Sequence, residues 1–298
     1  MNYSIEFFRL LAVILITLTH TRNEFSSGTL FFIFEELPQI GTVLLSLISG
    51  YLYFKFSRKK ENFYKTKVKT LLIPYLIANL SILFLVLIAN YFLNINLLNR
   101  LTYDHTLITE GILSLNSPPI NPPTYFIRDL FIIFTILEII KNKNIYLLLL
   151  LIPMLFIGKL FLRLDIVVLF ASGMVIAYFS DWIKLNRNII YLILIPATII
   201  FAYFYSANIS FIKYPISLLI FILLLNNKIM FYNVGAFTYL LHLYHSPIIV
   251  VLHPILSKFT ENNVLNPILQ VILSIFFVYV LYLLTRKITF LKILTGQK

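Results

Sequence analysis

The chain has 298 residues, of which 60% are hydrophobic and only 12% charged, and its mean hydropathy is +0.91. Because soluble domains are about one quarter charged, this composition excludes an ordinary soluble domain and predicts a polytopic membrane protein. The absence of cysteine excludes disulfides and a thiol nucleophile, and the distribution of the basic residues, rather than the net charge of +12, decides whether nucleic acid is a partner.

Ten apolar stretches are long enough to cross a bilayer. They predict an all-α fold with about ten transmembrane helices in a single membrane domain, residues 1–298. The stretches are residues 3–21, 38–54, 70–94, 123–140, 145–159, 164–180, 188–205, 212–226, 233–257 and 265–284.

The connections between these stretches differ in basic content. With the N-terminus in the cytoplasm, the inner segments hold sixteen Lys and Arg and the outer segments hold six. The positive-inside rule therefore predicts that both termini are cytoplasmic and that the protein is a multi-pass protein of the cell (inner) membrane, with lipid around it. The basic excess follows this topology, so no nucleic-acid partner is expected.

The first stretch carries an acid, an arginine and a histidine within an apolar run. Arg9 and His20 are eleven residues apart, so they project from one helix face, roughly 16 Å apart along the axis. Glu6 lies one turn before Arg9 and can pair with it. Since ionisable groups at membrane depth rarely face lipid, this face is predicted to line a reaction path, with His20 as general base and Arg9 as a fixed positive charge. The alternative is a structural ion pair and an interfacial histidine.

The segment after the second stretch, residues 55–69, holds seven Lys and Arg, among them Lys65, Lys67 and Lys69. One interpretation is a positive-inside anchor. The other is a cytoplasmic docking surface for an anionic cofactor such as coenzyme A, whose phosphates suit such a patch.

Arg128 and Asp129 stand at the start of the fourth stretch. Since adjacent residues on a helix do not face each other, each is expected to need its own partner. Arg128 is predicted at the membrane entrance of an extracellular-facing pocket. The alternative is a charge that anchors the helix end at the interface.

His242 and His245 are three residues apart in the ninth stretch and share a helix face, and Pro247 removes a backbone hydrogen bond just beyond them. A zinc pair is conceivable, but no credible third ligand accompanies the histidines, so no metal is expected. A hydrogen bond between helices is the alternative role for at least one of them.

Five motifs occur in the order typical of the acyltransferase-3 family of membrane O-acyltransferases, which this chain resembles. The family's first helix has an acid, two residues, an arginine, ten residues and a histidine, and Glu6, Arg9 and His20 have this spacing. The other four motifs are Ile48-Ser49-Gly50-Tyr51-Leu52, a basic segment before Leu71-Leu72-Ile73-Pro74-Tyr75, Tyr125-Phe126-Ile127-Arg128, and Leu243-Tyr244-His245-Ser246-Pro247.

Three departures from the family pattern are visible. The inner segment has lysines where the family often has arginines, and Tyr125 stands where tryptophan is usual. Either His242 or His245 can be the counterpart of the family's late histidine, and the Ser-Pro that follows favours His245.

The resemblance implies ten transmembrane helices, acetyl-CoA as the acyl donor on the cytoplasmic side, and transfer to a sugar hydroxyl of a lipid-linked or surface glycan. It implies a stand-alone transferase without the SGNH-type hydrolase domain that some relatives carry. In this reading Lys65, Lys67 and Lys69 bind the cofactor, and the catalytic residues are Glu6, Arg9, His20, Arg128 and His245. His20 acts as acid/base or as a transient acetyl carrier, while Arg128 and His245 orient the acceptor or stabilise the oxyanion.

A function of another class is also compatible with the sequence. Arg9, Arg128 and the histidines could form the binding site and proton relay of a transporter that exports a glycan or an anionic solute. A transporter would not consume acetyl-CoA, whereas a transferase would release free CoA.

Overall fold

A computed structural model describes residues 3–98, 100–204, 209–227, 229–260 and 264–296. Fourteen α-helices lie within this part of the chain, which contains no strand. They are α1 (Tyr3–Leu18), α2 (Gly28–Phe31), α3 (Ile40–Leu52), α4 (Phe63–Lys67), α5 (Ile73–Leu93), α6 (Thr106–Thr109), α7 (Tyr125–Asn142), α8 (Leu148–Phe156), α9 (Leu164–Tyr178), α10 (Ser180–Leu185), α11 (Arg187–Phe204), α12 (Ile209–Asn226), α13 (Gly235–Phe259) and α14 (Leu265–Lys287).

The predicted all-α class is confirmed, and each of the ten predicted stretches contains one helix. Within the described ranges, five helical segments are long and apolar enough to cross a membrane. They are Gly28–Ser57, Phe63–Leu93, Arg187–Phe204, Gly235–Phe259 and Leu265–Lys287. The predicted outer connection 206–213 falls partly outside the described residues.

The helices next to α1 pack closely because small residues lie where they cross. The helix α3 packs against both α1 and α9. A Cβ added to Gly50 would collide with the Phe170 carbonyl, and one added to Gly173 would collide with the Leu47 carbonyl. Glycine therefore permits the backbones of α3 and α9 to approach closely, as in other membrane helix pairs. The Ser-Gly-Tyr motif has a packing role here.

The helix α13 packs against α1 and α14, and this arrangement places His245 of α13 beside the end of α1. A 3₁₀ segment, Thr289–Thr295, follows α14 and contacts the start of α5. Gly296 ends this segment with φ +63°, and a Cβ there would lie 2.7 Å from the Cα of Thr70. Both features favour glycine and fix the C-terminal segment against the basic segment.

Candidate active site

Three cavities lie along and beside the polar face of α1. The arginine cavity, about 440 Å³, is lined by Glu6, Arg9, Lys67, Phe126 and His242 among others. The histidine cavity, about 290 Å³, is lined by residues that include His20, Phe126 and His242. The lysine cavity, about 640 Å³, is lined by Lys65, Lys69, Lys292 and neighbouring threonines.

Arg9 and Glu6 form the ion pair that their spacing predicts. The Arg9 Nη1 donates to Glu6 Oε1 at 2.8 Å, and the two side chains are 26% and 16% exposed. The second carboxylate oxygen of Glu6 is buried and has no hydrogen-bond partner within the described residues. The pair therefore places a partly shielded guanidinium on the wall of the arginine cavity, where a cation of fixed charge can stabilise a developing negative charge.

One stripe along α1 and the turn that follows it faces both cavities. Arg9 and Val13 line the arginine cavity, and Ile16, Thr19 and His20 line the histidine cavity. These positions follow the helical period, so the predicted common face of Arg9 and His20 is confirmed. It faces protein cavities rather than lipid.

The three lysines that the sequence groups together separate into two sites. Lys67 lines the arginine cavity, and its Nζ lies 4.7 Å from the ring centroid of Phe134. Lys65 and Lys69 line the lysine cavity together with Lys292, which comes from the C-terminal segment. The two cavities adjoin, since Thr70 lines both.

His20 and His245 lie in direct contact although 225 positions separate them in the chain. Their ring centroids are 5.3 Å apart, and the His245 and His242 centroids are 6.1 Å apart. His245 is fully buried, and its Nδ1 lies 2.7 Å from the Leu241 carbonyl oxygen. Because a carbonyl only accepts, Nδ1 carries the proton and Nε2 keeps its lone pair. Nε2 has no partner within the described ranges.

Phe126 and His242 form the wall between the arginine and histidine cavities, because these two residues line both. Their rings meet edge to face, with centroids 5.7 Å apart. The sequence leaves His242 and His245 as alternatives, whereas the structure gives them different positions: His245 contacts His20, and His242 borders both cavities.

The histidine cavity also contains charged groups that the sequence analysis did not single out. Arg163 pairs with Asp165 and donates to the Tyr125 hydroxyl at 3.3 Å. Lys213 Nζ donates to Gln39 Oε1 at 2.9 Å. These residues come from four separate helices or their ends, so no local motif brings them together.

Arg128 has a different environment from the one predicted. The expectation that Arg128 and Asp129 cannot pair is wrong: Nη1 lies 2.6 Å from Asp129 Oδ1. The same guanidinium donates to the carbonyl oxygens of Lys159 and Leu160, at 2.7 and 2.8 Å. The long side chain at the first turn of α7 bends toward the loop before α9, so the spacing rule for helix faces does not apply. Arg128 lines none of the three cavities.

Asp129 completes this buried connection by accepting from the backbone N–H groups of Leu162 and Arg163, at 3.2 and 2.9 Å. The pair therefore fixes the loop that carries Arg163 into the histidine cavity. Arg128 is thus connected to that cavity through this loop, and its structural role is to position the loop.

Replacing Asp129 with alanine should lower the free energy of unfolding by about 3–5 kcal/mol, because the substitution leaves the buried Arg128 charge without its carboxylate. Thermal unfolding of the detergent-solubilised protein measures the effect. Asp181, whose side chain is 84% exposed and lies 3.9 Å from Lys55, provides the control: its alanine variant should change stability by about 0–1 kcal/mol. Equal effects for the two variants would contradict the positioning role.

Within the described ranges, no group of three His, Cys, Asp or Glu side chains is arranged to hold a metal ion.

A bundle of apolar helices with an arginine, an ion-paired acid and three histidines around internal cavities defines a multi-pass membrane protein with a candidate catalytic centre. Residues 2–286 match the model of the acyltransferase-3 family, which is described as an acyltransferase domain. The chain belongs to this family and is a membrane acyltransferase. No SGNH domain is evident in its 298 residues. No curated protein and no solved structure gives a significant match.

Proposed function

We propose that this acyltransferase is an O-acetyltransferase of the inner membrane, which moves an acetyl group from cytoplasmic acetyl-CoA to a sugar hydroxyl of a lipid-linked or cell-surface polysaccharide. The observation that carries the proposal is the shared wall of the arginine and histidine cavities. In this proposal a donor site and an acceptor site meet at that wall, with Arg9 and Lys67 on the donor side and His20 on the acceptor side.

The charge on the donor side supports an acyl-CoA as the donor. Coenzyme A carries phosphates at one end and a thioester at the end of a narrow arm. Lys65, Lys69 and Lys292 place three ammonium groups in the lysine cavity. Within the described part of the chain, none of the three forms a salt bridge with a carboxylate. The adjoining arginine cavity then receives the arm, which leads from Thr70 past Lys67 and Arg9 toward His242.

The topology that the sequence predicts supports this direction. The basic segment 55–69 holds seven Lys and Arg, which the positive-inside rule assigns to the cytoplasm, where acetyl-CoA is made. His20 then lies nearer the opposite side of the membrane, where a glycan acceptor enters.

The chemistry follows from these positions. The acceptor hydroxyl binds beside His20, which removes its proton, and the thioester carbonyl lies at the wall with its negative charge developing toward the Arg9 side. In the net reaction a C–O bond to the acceptor forms and the C–S bond breaks, and the proton that the hydroxyl loses is balanced by the proton that the departing CoA thiolate gains. The axial distance between Arg9 and His20 is therefore covered by two cavities that meet at His242.

The lysine cavity gives a prediction that separates donor binding from chemistry. Replacing Lys292 with alanine should raise the KM for acetyl-CoA about tenfold and leave kcat near its normal value, because one charge-assisted phosphate contact is lost. Steady-state kinetics with varied acetyl-CoA measure both constants. Lys59, an exposed lysine outside the three cavities, is the control, and its alanine variant should keep the normal KM. A fall in kcat alone would contradict the assignment.

Comparing the surface glycan of cells that have the chain with that of cells that lack it tests the proposed activity. The base-labile acetyl content should fall to background when the chain is removed, while the amount of exported glycan stays the same. Loss of the exported glycan with an unchanged acetyl content per sugar would favour the transporter.

A further inference from the structure

His242 lies between the arginine cavity and the histidine cavity, so an acyl group that moves from one cavity to the other passes beside it. Its side chain is 4% exposed, and it lines both the arginine and the histidine cavity. Both ring nitrogens are buried and make no well-aligned hydrogen bond within the described ranges, and the backbone of Pro123 is the polar group beside the ring. Since nearly all buried polar side-chain atoms are hydrogen-bonded, an imidazole between two cavities with at most one such neighbour points to a reacting group.

The surroundings of His242 separate its two faces. Phe126 packs edge to face against the ring, and these two residues lie between an acceptor in the histidine cavity and a thioester in the arginine cavity. A group that lines both cavities can react on one side and then on the other.

We propose that His242 is a catalytic residue that carries the acyl group between the two cavities as an acyl-imidazole. The proposal rests on the acyl-transfer function given above and adds a covalent intermediate to it. Its other participants are His245, whose ring lies between the rings of His242 and His20 and whose buried Nε2 has no hydrogen-bond partner within the described ranges, and His20 on the acceptor side.

The first step takes place in the arginine cavity. One ring nitrogen of neutral His242 attacks the thioester carbonyl, a C–N bond forms, and the C–S bond breaks. The proton on the other ring nitrogen goes to the departing thiolate, and CoA leaves as the thiol. Arg9 lines the same cavity and stabilises the oxyanion of this step.

The second step takes place in the histidine cavity. The acceptor hydroxyl attacks the acyl carbon while His20 removes its proton. The C–O bond forms, the C–N bond breaks, and the proton passes from His20 through His245 Nε2 back to His242. The cycle consumes one thioester and one alcohol and returns one ester and one thiol.

An exchange reaction without acceptor tests the intermediate. The purified protein is incubated with acetyl-CoA and isotope-labelled free CoA, and label entering acetyl-CoA is measured. The wild-type chain should catalyse exchange, and His242→Gln should lose it. His20→Gln should keep exchange while losing transfer to the glycan. His253→Gln alters a histidine on the same helix that lines none of the three cavities, and it should keep both reactions.

A second measurement does not depend on any variant. Rapid quenching of wild-type protein with acetyl-CoA, followed by peptide mass analysis, should find an acetyl group on the peptide that contains His242. A wild-type protein that acetylates the glycan but neither exchanges CoA nor carries the acetyl group would overturn the intermediate and leave the transferase function standing. A protein that releases no CoA even with acceptor present would overturn the transferase function itself.

Discussion

Replacing His20 with alanine is expected to lower acetyl transfer to the glycan by about 10²–10⁴-fold, the contribution typical of a single positioned general base. The protein should still accumulate in the membrane, because His20 lies just after α1 and lines a cavity rather than filling the core. Acetyl content of the glycan and the amount of membrane-bound protein are measured in the same cells.

The control for this variant is His105→Ala. His105 lies on an exposed loop outside the three cavities, so its replacement should leave acetylation unchanged. Near-normal acetylation in the His20→Ala variant would contradict the assignment of His20 as the base on the acceptor side.

Replacing Arg9 with glutamine is expected to lower kcat by about 10²–10³-fold, the usual effect of removing one group that stabilises an oxyanion. Arg9 pairs with Glu6 at 2.8 Å, so the single substitution also leaves a half-buried carboxylate without its cation. A loss of activity in this variant alone could therefore come from altered structure.

The double variant Glu6→Gln/Arg9→Gln separates the two causes. It removes both charges together and keeps two amides that can hydrogen-bond across one helix turn. We expect it to unfold at the temperature of the wild-type chain and to remain as inactive as Arg9→Gln. Recovery of activity in the double variant would mean that the Arg9 charge is not needed for the reaction.

Local features of the site could be predicted from the sequence. The Glu6–Arg9 pair depends on one helix turn, and the common face of Arg9 and His20 depends on the helical period. The sorting of the lysines could also have been predicted: Lys65 and Lys69 are four residues apart and share a face, whereas Lys67 points away from both. The spacing of the three lysines indicates two faces, whereas the high lysine content of the segment indicates only a single basic patch.

Features that depend on the packing of distant helices could not be predicted. The contact of His20 with His245 requires α1 to pack against α13 at one particular rotation, which no local pattern specifies. Arg163 and Lys213 enter the histidine cavity from a loop and from α12. The motif order suggested a family, and only the fold distinguishes His242 from His245.

The prediction for Arg128 was wrong in a way that is physically informative. The rule that adjacent helix residues do not face each other describes the direction in which side chains leave the backbone. It therefore holds best for short side chains. Arg128 is long and stands at the first turn of α7, where the carbonyls of Lys159 and Leu160 are within its reach. Those acceptors and the adjacent carboxylate hold the guanidinium in a buried site outside the three cavities.

The most direct test uses the purified protein in liposomes, with acetyl-CoA on one side of the membrane and the glycan acceptor on the other. The account predicts that free CoA is released and that base-labile acetyl groups appear on the glycan in equal amounts, and that both stop when His20 is replaced with alanine. Movement of the glycan across the bilayer with no consumption of acetyl-CoA would contradict it.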